Sequence, residues 1–240
     1  GPLDAVADLF ARERLKRFTQ LPIDATTVKG QIDGQIVIDL KLADEVKAED
    51  TRVRASAALT NFSVEKLVGE ERLEAGTLNL TAERGTLRAS GQGRLFGAPA
   101  TIELRKQIDM PTEAIIGMTL DDAARTKLGL NFGQTLTGQI GAKMTAALGQ
   151  QDKVRAQVEI DFTKANIDNL LPGFVKPVGK AAKASFTLIN DLTGPDLENF
   201  VFDGGTAYAK GTIELDPAGG MERLKLTQVR LSPGDDMQIM

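Results

Sequence analysis

Three stretches of the sequence carry residue types that could do chemistry. SGQGRLFGAP, residues 90–99, sets Gly91, Gly93 and Gly97 in the spacing GxGxxxG. Glycines at that density can let backbone N–H groups cradle a phosphate. Two acidic pairs, Asp121-Asp122 and Asp235-Asp236, could serve acid–base chemistry or hold Mg²⁺. Asn61-Phe62-Ser63 fits the N-glycosylation acceptor pattern, a short motif that often matches by chance.

Neighbouring residues argue against each of these uses. A dinucleotide loop needs a strand before it, a helix opening at its end, and an acid ~20 residues further on. Here Ala98-Pro99 leads into a second strand pattern, ATIELRK at 100–106. The helix N-terminus that would hold a phosphate is missing. The glycines are therefore expected to allow a bulge, strong twist or tight hairpin, with Gly97 and Pro99 turning the chain back. Adjacent carboxylates seldom point the same way. Asp121-Asp122 suits a helix start, and Asp235-Asp236 suits a turn after Pro233-Gly234.

What the chain lacks narrows the classes further. Its 240 residues include no His, Cys or Trp, and Tyr208 is its one tyrosine. The usual zinc site, the cysteine nucleophile and the histidine-based triad are excluded. We expect no enzyme, no metal and no cofactor. A net charge of −4 and the absence of long basic runs give no reason to expect nucleic acid as a partner. No apolar run approaches the ~18 residues of a membrane span.

The elements that would position any site are mostly strands. Residues 3–18 predict an amphipathic helix, with Leu3, Val6, Leu9 and Phe10 on one face and Pro2 in the first turn. The period then changes from 3.6 to 2. Ile32, Ile36, Ile38, Leu40 and Leu42 alternate with Asp33, Gln35, Asp39 and Lys41. Val53, Ala55, Ala57 and Leu59 alternate with Arg52, Arg54 and Ser56. Strands follow at 76–82, 85–95 and 100–106, a helix at 121–130, more alternating stretches, and a helical turn at Asn166–Gly173.

KGQIDGQIVIDL with RVRASAAL is echoed by TGQIGAKMTAAL with KVRAQVEI. This predicts repeated helix-plus-strands units at 1–110 and 111–216, with 217–240 starting a third. The fold class is mainly β: an extended, twisted antiparallel sheet with a few short covering helices. The chain reads as a segment of a longer protein.

An alternating strand must cover its apolar face. A packed core is the ordinary answer. Two features leave room for another. Aromatic residues are only 5% of the chain, and many inward positions are Ala or Thr. There is also little helix to cover so much sheet. An aliphatic face left open would suit acyl chains, and contiguous exposed apolar surface marks binding. Both readings stand at this point. A sugar-binding β domain is disfavoured because so few aromatics are present.

GPLDAVADLF, VKGQIDGQIVIDLKL, VRASAALTNFSVEKL and GTLRASGQGRLFGAPATIEL together resemble the AsmA-like superfamily of Gram-negative envelope proteins, in particular its large YhdP-type members. Their G-x-G-x-L-x-G-x-P pattern is met by Gly91, Gly93, Leu95, Gly97 and Pro99, and RLSPGDDM near the C-terminal end is also similar. The resemblance implies a periplasmic segment of a protein anchored in the inner membrane. It implies a groove of twisted sheet along which phospholipids move between the two membranes. The implied partners are phospholipid acyl chains and, at the two membranes, other envelope proteins. The expected lining is Ile36, Ile38, Leu40, Val53, Leu59, Leu78, Leu80, Ile102, Met144, Val158 and Ile160.

Overall fold

The computed structural model describes residues 1–5, 27–39, 52–68, 71–128, 130, 132–148, 154–169, 173–191, 194–216, 221–231 and 237–238. The chain is mainly β and antiparallel. Among the described residues, helix is confined to a turn at 3–5, a 3-10 residue at Thr27, the helix Asp122–Lys127 and a 3-10 turn at Gly133–Thr135. Two compact units divide it, Gly1–Ala114 and Ile115–Met240.

The first unit is a meander of five strands: β1 (Val28–Asp39), β2 (Arg52–Val68), β3 (Glu71–Glu83), β4 (Thr86–Leu95) and β5 (Ala98–Gln107). Each strand pairs antiparallel with the next. Two hairpins have two-residue loops, Arg84-Gly85 and Phe96-Gly97. Phe96 at φ 54° and Gly97 at φ 76° form the primed turn whose twist matches the flanking strands. The reversal is thus made by Phe96-Gly97. Pro99, expected in the turn, lies inside β5 opposite Arg94.

At the far edge the chain start pairs with β1. The Gly1 ammonium donates to the Ile32 carbonyl at 2.7 Å, and the Ile32 N–H donates to the Gly1 carbonyl at 2.8 Å. Leu3 is buried at the start of the helical turn. Residues 6–18 of the expected helix lie outside the described residues.

β6 (Thr112–Leu120) runs through the boundary between the units, with Ala114, Ile116 and Leu120 buried on alternate positions. The second unit then has a meander in the order β8 (Ile140–Leu148), β9 (Val154–Asp161), β12 (Lys183–Asp191), β13 (Gly194–Asp203), β14 (Tyr208–Leu215), β15 (Met221–Arg230) and β16 (Met237–Gln238). Residues 221–230, expected to open a further unit, pair along their length with β14.

A separate three-stranded sheet is made of β7 (Leu136–Gly138), β10 (Ala165–Asp168) and β11 (Val175–Lys176). The helical turn expected at Asn166–Gly173 is instead a strand over Asn166, Ile167 and Asp168. Ile167 pairs with Leu136 on one side and Lys176 on the other and is fully buried. Tertiary pairing outweighs the local helical signal there. Phe162, Phe174 and Phe202 pack edge-to-face beside this sheet, with centroids 6.0 and 5.7 Å apart.

Candidate functional site

The registers of β1 to β5 sort the first unit's side chains into two faces. Directly opposed residues in an antiparallel sheet lie on the same face. Four rows cross one face. They are Ile32–Leu59–Leu78–Gly91–Ile102, Gly34–Ala57–Leu80–Ala89–Leu104, Ile36–Ala55–Ala82–Leu87–Lys106, and the shorter Ile38–Val53. The other face carries Asp33, Gln35, Arg54, Ser56, Thr81, Arg88, Glu103 and Arg105. The four apolar rows contain one charged side chain, Lys106.

This face is not equally covered. Leu59, Leu78 and Ile102 are 4%, 3% and 6% exposed, so three of the expected lining residues are interior. Towards the β3–β4 hairpin the cover ends. Leu80 is half-buried, as are Ala55, Ala57, Ala82, Leu87 and Leu104. Ile36, Ile38 and Val53 are 65%, 56% and 50% exposed. Leu40 lies outside the described residues. The first unit thus has a sealed half-face and an open half-face on one continuous apolar surface.

In the second unit Met144, Val158 and Ile160 share a face and are half-buried. Met144 opposes Val158, which opposes Phe186; Ile160 lies between Ala142 and Ala184. The surface continues through Phe200, Gly211 and Leu226, and through Leu197, Ile213 and Leu224. Sequence alternation placed Met144, Val158 and Ile160 in the expected lining but did not name Phe186, which alternates with Ala184 and Leu188, or Phe200, which sits at a register shift of β13.

The acidic pair Asp121-Asp122 is structural. The Asp121 carboxylate accepts from the Ala124 N–H at 2.8 Å, capping the helix Asp122–Lys127. Asp122 pairs with the buried Arg125 guanidinium. That guanidinium also donates to the carbonyls of Gly138, at 2.5 Å, and Leu136, at 2.9 Å, tying the helix to β7. Asp235-Asp236 lies outside the described residues. Among those residues no three acidic side chains gather where they could hold a metal.

Lys176 is the other buried cation among the described residues. Its ammonium donates to the carbonyls of Phe162 and Ala165 at 2.6 Å each and to Pro177 at 3.2 Å. Burial pushes its pKa down, and the nearby Asp161 carboxylate opposes that shift. The Thr163 hydroxyl and N–H, donating at 2.5 and 2.8 Å, hold Asp161 below the usual carboxylate range. Three backbone acceptors use all three donors of the ammonium, so Lys176 is a staple for the small sheet. Sequence reading passed over it, although a lone Lys in the apolar run GFVKPV was a signal.

What the described surface offers is aliphatic area, sealed on one half and open on the other. No protein-family profile, curated protein or solved structure matches the chain.

Proposed function

We propose that the chain is a non-enzymatic segment of a periplasmic bridge of the AsmA-like type, part of an inner-membrane-anchored protein. It carries phospholipid acyl chains along an apolar β-sheet face between the inner and outer membranes and so supports outer-membrane biogenesis. The observation that supports this most is the open half-face of the first unit, where Ile36, Ile38 and Val53 stand exposed on an otherwise apolar set of rows. Exposed aliphatic surface on one side of a sheet has no stabilising role until something covers it. An acyl chain gains about 0.8 kcal/mol per CH₂ buried there, while its headgroup stays in water. A smooth aliphatic lining lets the acyl chain slide, since contact with it is non-directional.

A packed structural module of the envelope, binding no lipid, is the second reading. The burial of Leu59, Leu78 and Ile102 favours it for the sealed half. Photo-crosslinking in the envelope separates the two. A benzophenone side chain at Ile36 or Val53 should capture phospholipid, and one at Gln35 or Arg54, on the polar face, should not. Capture by neither face, or equally by both, contradicts the lipid reading.

A further inference from the structure

The row Ile36–Ala55–Ala82–Leu87 reaches Lys106 on β5, the one charged residue in the four apolar rows of the first unit. Its ammonium donates at 2.6 Å to the Met110 carbonyl, in the turn that follows β5. That bond ties the head of the side chain to the turn beside the row. One donor is used and an ammonium has three. The comparable rows of the second unit, Met144–Val158–Phe186 and Phe200–Gly211–Leu226, carry no charge. Lys106 therefore interrupts a pattern kept in those rows.

From β1 to β5 the row crosses four strand spacings, about 19 Å at the usual separation. All of its members are half-buried or exposed, so the whole length is reachable. We propose that this row is a site for one amphiphile with an anionic head: the alkyl chain lies across the strands on Leu87, Ala82, Ala55 and Ile36, and the head pairs with Lys106. The proposal rests on the lipid reading above and adds a headgroup preference and a direction of lie. A fatty-acid carboxylate and a phosphate ester share this chemistry.

The neighbouring rows fit the same occupant. Ala57, Leu80 and Leu104 of the adjacent row are half-buried and apolar, so they flank the alkyl chain without a competing charge. The opposite face offers Arg88 and Arg105, but there they lie among Glu103, Ser90 and Thr86 with no apolar row beside them.

The test is calorimetric titration of the full chain with decanoate, decyl phosphate and decanol below micelle formation. These three ligands share one tail. Lys106→Met keeps the stem and removes the charge. It should weaken decanoate and decyl phosphate roughly 5–10-fold and leave decanol within twofold, with salt screening the difference in the wild type. Weakening of only one anion identifies the head as carboxylate or phosphate. Equal effects on all three ligands, or none, overturn the headgroup assignment. Leu87→Asp should reduce binding of all three; if it does so while Lys106→Met does not discriminate, the lipid reading survives and the Lys106 proposal fails. If no ligand binds the wild type, the lipid reading fails with it.

Discussion

The carbonyl oxygen of Thr77 stands where a Cβ on Gly91 would have to be, far inside van der Waals contact. The cause is the irregular pairing of β3 with β4 between Glu74 and Thr77, which presses the β3 backbone against β4. Gly211 meets the Lys225 carbonyl in the same way, beside the register shift between β14 and β15. The clashing atom is backbone in both cases and cannot rotate away. Gly91→Ala should therefore cost about 1–3 kcal/mol, the range for overpacking. Thermal unfolding followed by circular dichroism should show the loss, and an unchanged midpoint would place the strands further apart than described.

Gly93 faces different neighbours. A Cβ there would meet the end of the Leu73 side chain at 3.1 Å and the Glu74 carbonyl at 3.2 Å, a tight contact that small shifts can relieve. Gly93→Ala should thus be the milder of the two substitutions in the same melt. The reverse order of midpoints would contradict the bulge at Thr77 as the reason for Gly91.

Much of this sheet was legible in the sequence. Ile32, Ile36, Ile38, Val53, Leu59 and Leu78 fell on one face because period-2 alternation survives wherever pairing is regular. It failed where the ladder shifts. Phe62 follows a bulge containing Asn61 at φ 50°, so counting by twos from Leu59 misses it, although it is buried. Alternation also cannot tell the sealed half-face from the open one. Leu59 and Ile36 carry the same pattern, and only what lies over them differs. Lys106 was visible as the break in Ile102, Leu104, Lys106, but its meaning needed the row it joins.

The small sheet of the second unit hangs on Lys176. Lys176→Met keeps the side chain's length and removes the ammonium's hydrogen bonds to the carbonyls of Phe162 and Ala165, while the Phe162 carbonyl keeps the Ala165 N–H at 2.9 Å. A hydrogen bond to a charged group contributes about 1.5–3 kcal/mol. The loss should be local. Hydrogen exchange at the amides of Ile167 and Asn169 should accelerate while the amides of β2 and β3 keep their protection. Uniform acceleration across the chain would mean that the staple is not confined to this sheet.

Acid should weaken the second unit through two carboxylates. Asp161 is held below its ordinary value of 3.8, chiefly by Thr163. Glu214 is held below 4.5, chiefly by Lys225 at 2.5 Å and also by Arg223. A carboxyl whose folded-state pKa is depressed adds stability that is present above its unfolded pKa. That contribution is lost as pH falls through the folded value. Urea denaturation at pH 6 and pH 3 should show a drop for the wild type and a smaller drop for Asp161→Asn/Glu214→Gln. An equal drop in both proteins would assign acid sensitivity to other groups.

The lipid reading depends on the open half-face, and native mass spectrometry of the purified chain tests it most directly. The wild type should carry phospholipid adducts. Ile36→Asp/Ile38→Asp, which alters two side chains already exposed at 65% and 56%, should lose them and keep the β-sheet circular dichroism signal. A wild type without adducts, or a variant that keeps them at the wild-type level, contradicts the assignment of this face to lipid.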